Sequence, residues 1–245
     1  WRGLVGWLVA RVGGASLQVQ VHADLLGQSW ARQVLARFVL SRANKIRVVS
    51  ERIRTELSVR NADKASVLPV YIHIESFRTL VHQPHPPFEK TLLWVGRFEQ
   101  EKDPLQILAV LHEVRKKGIN AGLIMLGSGS LEPELRQNVS KLKLEDSVVF
   151  PGWQKTLAYM QYADVVVSTS PYESWGASMV EALAAGVPVV SLDVGVAREA
   201  GAIVVEKKDL AVAVVEVLVA GTRGHLNLTV LDAVAWASAW RSTLI

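Results

Sequence analysis

The chain of 245 residues has no cysteine. That excludes a disulfide framework, a thiolate nucleophile and any cysteine-ligated metal, and it fits a reducing compartment. It also lacks an uninterrupted run of about 20 apolar residues, so no segment reads as a membrane-spanning helix. The apolar stretch 1–10 is short, is bracketed by Arg2 and Arg11, and opens on Trp rather than Met. Without a small-residue cleavage site it does not read as a signal peptide. There is little excess of either charge: 27 Lys and Arg against 23 Asp and Glu leave +4, too mild to imply nucleic acid. No internal repeat or low-complexity segment occurs. His73, His82, His85, His112 and His225 show no metal-ligand spacing. What is present is a 50% hydrophobic, 20% charged composition, which rules out intrinsic disorder and suits a large buried core.

Organisation follows from a proline cluster at 83–87, Gln-Pro-His-Pro-Pro, which reads as a stiff linker. It separates segment 1–85 from segment 86–227, with a tail at 228–245. After the linker, continuous apolar runs at 91–95, 121–126, 147–150, 164–168, 188–192 and 202–205 alternate with helical patterns. Continuous rather than alternating apolar runs predict strands buried on both faces, hence a parallel sheet covered by helices: a doubly wound α/β domain. Asp103-Pro104 reads as an N-cap with proline in the first turn, opening a helix that Gly118 stops. Before the linker the same pattern predicts strands at 17–21 and 46–49, helices at 30–40 and 51–60, and a third apolar run at 67–71. A βαβ unit needs about 30 residues or more, so 1–85 holds about half of a second such domain. The expectation is a fragment or processed product whose first strands are missing. The tail reads as an amphipathic helix over 228–244 carrying Trp236 and Trp240.

Two motifs carry chemistry. In Trp94-Val-Gly-Arg-Phe-Glu-Gln-Glu-Lys102, Gly96 permits a tight turn after a strand and delivers Arg97 and Lys102 at its carboxyl end. Ligands of open α/β sheets bind at that edge, and a fork-shaped cation beside a point charge suits a diphosphate. Two solvated surface cations are the alternative. In the second motif a strand at 164–168 leads through Ser170-Pro-Tyr-Glu-Ser-Trp175 into a helix starting near Gly176. Gly176, Ala177 and Ser178 are small enough to let an anion reach the first free amides, with Met179 and Val180 following. Glu173 and Glu181 offer acceptors for vicinal hydroxyls. An acid favouring a helix N-terminus plus a second acid on a solvated face is the alternative. Weaker signals are Gly127-Ser-Gly129, and Trp153 and Trp175 as stacking surfaces, with core packing the commoner fate of Trp. Between 32 and 64, nine basic residues face three acids, a local +6. That is either a solvated helix face or a basic surface for anionic lipid.

The segment Glu173 to Glu181, a Glu-x7-Glu spacing, with the following Ala-Leu-Ala-Ala-Gly-Val-Pro-Val-Val at 182–190, resembles the donor-site signature of retaining family 4 glycosyltransferases of the GT-B fold. Gly96-Arg97 with Lys102 is similar to that family's phosphate clamp. Val21-His22-Ala23-Asp24 resembles the strand end facing the donor sugar, and Val49-Ser50-Glu51 with Leu68-Pro69-Val70 resembles the run to the interdomain linker. The resemblance covers roughly 17–220. It implies two Rossmann-like doubly wound domains, the first incomplete here, with 1–85 on the acceptor side, 86–227 binding nucleotide sugar, and 228–245 crossing back toward the first. It implies that Arg97, Lys102 and the amides from about Ala177 to Val180 hold the diphosphate. Glu173 would bind sugar hydroxyls, Glu181 the ribose, and His22 the sugar near the anomeric carbon. Asp24 either orients His22 or caps a turn.

The implied activity is transfer of a sugar from a nucleotide diphosphate sugar to a hydroxyl acceptor, a glycan or lipid-linked saccharide. It would proceed with retention, with no metal and no cofactor. The expected location is cytoplasmic, with peripheral membrane contact as a further reading and no nucleic acid partner. A non-catalytic nucleotide-sugar binding module is the alternative, and a GT-B epimerase a more distant one. Three departures stand out: Asp103 where the family usually has Gly, Gly195-Val196 in place of a double Gly, and no early glycine-rich loop.

Overall fold

A computed structural model describes residues 2–22, 29–85 and 87–244. Ala23 and Asp24 of the strand-end motif lie outside the described residues. The chain divides into two compact units, one of Trp1–Tyr71, Tyr172–Trp175 and Val230–Ile245, the other of Ile72–Pro171 and Gly176–Thr229.

The first unit runs α1 (Arg2–Val12), β1 (Gln18–Val21), α2 (Trp30–Arg42), β2 (Lys45–Val48), α3 (Glu51–Thr55), α4 (Val59–Ala62) and β3 (Ala65–Val67). Its sheet is parallel in the order β1-β2-β3, with Gln18 opposite Lys45 and Ile46 opposite Ala65. The expected helix over 51–60 is two short ones. Ser50 caps the first through its side chain, which accepts from the Ile53 amide, and Ser58, in extended backbone (φ −61°, ψ 153°), starts the second. The apolar run at 67–71 contributes only its first residue to a strand. The Leu68 amide bonds to the Val48 carbonyl at 2.9 Å, and Pro69, with no N–H, cannot continue the ladder.

The second unit begins with α5 (Glu75–Arg78) and β4 (Lys90–Val95). A 3₁₀ turn (Gln100–Lys102) leads into α6 (Leu105–Lys116), β5 (Ala121–Leu126) and α7 (Glu132–Lys141). Then come β6 (Val148–Gly152), α8 (Thr156–Met160), β7 (Val165–Ser168), α9 (Ala177–Ala184), β8 (Val189–Ser191), α10 (Ala197–Ala200), β9 (Ile203–Val204) and α11 (Leu210–Ala220). The six strands are all parallel in the order β6-β5-β4-β7-β8-β9. All six apolar runs after the linker are strands, so the doubly wound reading holds. Alternate residues of each strand serve opposite faces. Leu92, Trp94, Leu123 and Met125 pack with Ile107 and Leu111 of α6 and Val214 and Leu218 of α11. The other face carries Leu93, Ile124 and Val166, all buried, beneath α8 and α9.

Asp103 is not a helix N-cap. It sits in the left-handed region (φ 44°, ψ 54°) closing the 3₁₀ turn, and Pro104 holds the cap position of α6. The carboxylate instead accepts from Lys207 Nζ at 2.5 Å. A left-handed position is where glycine is at ease.

The tail helix α12 (Ala233–Ser242) is shorter than the expected 228–244 and starts at Asp232, whose carboxylate accepts from the Ala235 amide at 2.8 Å. It belongs to the first unit. Trp236 Nε1 donates to the Pro69 carbonyl at 2.8 Å. Arg47 Nη2 donates to the Trp240 carbonyl at 3.1 Å and to the Thr243 hydroxyl. Arg47 is thus no part of a solvated helix face: it lies on β2 and is 4% exposed. Lys64 is also structural, its ammonium donating to the Leu40, Ser41 and Ala43 carbonyls where α2 ends, where cations favour the helix dipole.

Candidate functional site

Strand order in the second unit reverses between β4 and β7, and in doubly wound sheets the crevice outside the carboxyl ends at such a switch is the ligand position. The loops leaving those strands hold 96–104 and 169–176. A chain of hydrogen bonds, the first buried and the second partly so, joins them. Trp94 Nε1 donates to Thr169 Oγ1 at 2.9 Å, and Thr169 Oγ1 donates to the Lys102 carbonyl at 3.0 Å. An indole N–H inside a core needs a partner, and here that need fixes the backbone beneath Lys102.

A second tie runs to the loop after β5. Glu99 accepts from the Ser130 hydroxyl at 2.6 Å and its amide at 2.8 Å, and these bonds pull the Glu99 carboxyl below its ordinary pKa. Gly127, at φ 146°, passes so close to the Gly96 carbonyl that a Cβ would overlap it, and a Cβ on Gly129 would press on the Phe98 backbone. The two glycines therefore set how tightly the β4 and β5 loops stack.

Between these loops and the one after β6 lies a cavity of about 450 Å³, lined by Val95, Gly96, Gly127, Trp153, Lys155 and Thr156 among others. Trp153 is 73% exposed and offers its ring at this opening. Thr156, which the sequence did not single out, donates its hydroxyl to Glu181 Oε2 at 2.8 Å. Glu181 is half-buried on α9. Burial raises its pKa above the ordinary carboxylate value, and the Thr156 bond opposes that rise.

The expected clamp residues divide. Gly96 lines the cavity. Arg97 is exposed and ion-paired with Glu101 four residues on, so any anion drawn to the guanidinium would have to compete with that carboxylate. Lys102 is half-buried at the end of the 3₁₀ turn. Gly176 caps α9 at φ 93°. Its carbonyl accepts from the amides of Met179 (3.0 Å) and Val180 (3.3 Å), leaving Ala177 and Ser178 with the first-turn amides outside the helix ladder. Met179 departs from the expected binding role: its side chain is buried against Gly176 and its amide is used within the turn.

Glu173 lies in the 172–175 segment, which groups with the first unit. There the Ser50 hydroxyl donates to the Ser174 carbonyl at 3.0 Å, and Trp175 is buried rather than presented for stacking. His22 follows β1, is exposed, and shares a 3.2 Å hydrogen bond between Nε2 and Gln20 Oε1. Among the described residues no three His, Asp or Glu side chains gather at metal-ligand spacing, and no helix is long and apolar enough to cross a membrane.

Comparison with known proteins gives a family and a fold. The family model described as Glycosyl transferases group 1 matches residues 79–211. An alpha-monoglucosyldiacylglycerol synthase of Streptococcus pneumoniae is 32% identical over 141 residues, 54% of this chain and 32% of that protein. A 2-deoxystreptamine glucosyltransferase of Streptomyces kanamyceticus is 26% identical over 224 residues, 80% of this chain and 57% of that one. The chain thus spans between a third and somewhat over half of these relatives. Among solved structures, Anabaena HepE in complex with UDP and glucose superposes with a TM-score of 0.78 at 18% identity, covering 98% of this chain and 74% of that one. It shares the two-Rossmann GT-B architecture.

Proposed function

The chain belongs to the glycosyl transferases group 1 family, and from that premise we propose that its second unit binds a nucleotide diphosphate sugar for transfer to a hydroxyl acceptor. The observation that carries the reading is the switch between β4 and β7, where Gly96, Arg97 and Lys102 share one sheet edge with the amino end of α9. In this reading Arg97 and Lys102 neutralise the leaving diphosphate, offsetting charge that grows in the transition state. The Ala177 and Ser178 amides hold the same phosphates. Glu181, oriented by Thr156, accepts from the ribose hydroxyls, and the exposed Trp153 ring is a stacking surface for the base. His22 and Glu173 are assigned to the donor sugar by family resemblance, as are retention and metal independence. UDP in the HepE complex favours a uridine donor.

The test is calorimetric titration of the chain with UDP, GDP and ADP, without added metal. One nucleotide should bind, and Arg97→Ala should weaken it more than tenfold, about 1.4 kcal/mol. Equal affinity in the variant removes Arg97 from the clamp. Binding by no nucleotide removes the donor site.

A lipid-linked acceptor is favoured by α1 and α2, which carry Arg2, Arg11, Arg32, Arg37 and Arg42 and no acid. They expose Val9, Val12 and Trp30, a composition suited to an anionic bilayer surface. Co-sedimentation with anionic but not neutral vesicles is the expected result, and equal recovery with both overturns it.

A further inference from the structure

The first unit holds a cavity that shares only His22 with the donor reading. It measures about 260 Å³ and is lined by Gln20, His22, Arg47, Tyr71, Trp236 and Trp240, together with the apolar 68–70 segment. Among the described residues no Asp or Glu lines it. Arg47 Nη2 is satisfied by α12, but Nε and Nη1 are buried without a hydrogen-bond partner. The guanidinium carbon lies 5.1 Å from the centre of the Trp240 ring. That contact with a π face offsets part of the lost hydration, while the N–H donors of two nitrogens stay buried and unpaired beside the cavity. Burial lowers the pKa of Arg47, yet a guanidinium remains a cation at neutral pH. A buried cation without a carboxylate is an unbalanced arrangement. It is unusual on the central strand of a parallel sheet, where Ile46 and Val48 on either side are fully buried apolar residues.

Two features of the lining narrow what could balance it. Among the described residues its charge is of one sign, which suits an anion. Its walls are two indoles, a phenol ring and aliphatic backbone neighbours, so whatever carries the anion is apolar or aromatic rather than a polyhydroxylated sugar. His22 and Gln20, already hydrogen-bonded to each other, supply polar atoms at the same wall. Arg is suited to oxyanions because its planar donors match carboxylate and phosphate oxygens.

We propose that this cavity binds an oxyanion, a carboxylate or phosphate ester, borne on an apolar body, with Arg47 as counter-charge and His22 and Gln20 as hydrogen-bond partners. The site lies wholly within the first unit, so it stands or falls apart from nucleotide binding in the second.

The experiment is calorimetric titration of the whole chain with benzoate and with phenyl phosphate at constant ionic strength, with benzyl alcohol as the neutral control. Saturable binding of at least one anion and none of the alcohol is expected, and the preferred anion distinguishes a carboxylate from a phosphate source. Arg47→Met should weaken that binding at least tenfold. Its Tm without ligand should equal or exceed that of the parent, because an unpaired buried charge has been removed. Arg47→Lys, which keeps the charge but loses the planar donors, covers the case in which the Met variant does not fold, and should also weaken binding at least tenfold. Arg97→Ala in the second unit should leave it unchanged. Absence of binding by either anion overturns the proposal, as does equal binding by the parent and a folded Arg47 variant.

Discussion

In the second unit β5 is buried at all six positions and β4 at its four central ones, whereas in the first unit β1 is buried at one position of four and β3 at none. Both sheets are parallel and both are read from apolar runs, so strand chemistry is not what separates them. Coverage is. Six strands with helices on both faces leave no central residue near water, while in a three-stranded sheet two of the strands are edges. Helix α1, in the first unit, has no buried residue. Burial depth, rather than residue type, therefore decides where a substitution matters.

Two tryptophans put that contrast to the largest test. Trp94 is 2% exposed and Trp30 is 80% exposed. Trp94→Ala removes a large core side chain and also strips Thr169 of its indole donor, so a loss of about 3–5 kcal/mol is expected. Trp30→Ala should fall within about 0.5 kcal/mol of the parent. Urea unfolding of both variants checks this, and comparable losses would break the contrast. A loss for Trp94→Ala accompanied by weaker UDP binding would further show that the Trp94–Thr169–Lys102 chain shapes the loop proposed to hold the diphosphate.

A smaller effect, with a pH signature, belongs to Glu181. Its folded pKa is raised by burial, so the folded state holds its proton more tightly than the unfolded one. The ionised carboxylate is thus a cost to stability that is absent below the ordinary carboxylate pKa and fully present above the raised one. Glu181→Gln removes that cost and keeps an oxygen for the Thr156 hydroxyl. The variant should be more stable than the parent at pH 7, and the gain should shrink to nothing as pH falls below about 4.3. Melting curves across that range check the sign, and a gain that grows on acidification would contradict it. If Glu181 meets the ribose, the same variant binds UDP more weakly while being more stable, the usual exchange at a functional site.

The strands of the second unit were legible because continuous apolar runs admit few other fates, and the site loops because glycine and cations follow those runs. Strand order was not legible, since it depends on which crossovers pack together rather than on any local pattern. Three particular residues show the limit more sharply. Met179 sits within the turn whose amides are expected to meet an anion, yet its amide is spent on the Gly176 carbonyl and its side chain belongs to the core. Thr156 is 25 residues from the carboxylate it supports, and nothing near it in the chain announces that bond. Arg47 counted as one of nine basic residues in a charged stretch, although its neighbours Ile46 and Val48 already placed it in a strand. Its burial depends on α12, almost two hundred residues later.

The smallest expected effect sharpens the comparison from within the well-buried unit. Asp103 occupies a left-handed position at φ 44°, which costs a non-glycine residue about 1 kcal/mol. Asp103→Gly relieves that cost. It also frees the unfolded chain, a loss of about 0.4–1 kcal/mol, and removes the carboxylate from Lys207, a partly exposed pair worth about 0–1 kcal/mol. These terms oppose one another and are of similar size, so the net change should lie within about 0.5 kcal/mol. Salt separates them, because screening weakens the ion pair and leaves the backbone terms alone. The variant should therefore gain on the parent as ionic strength rises. A difference independent of salt would show that the Lys207 pair contributes nothing and that backbone conformation alone decides this position. UDP affinity should not change, because Asp103 lies beyond Lys102 and glycine adopts the same turn. A tenfold loss would mean that the Asp103 side chain, rather than the shape of the turn, holds Lys102 in place.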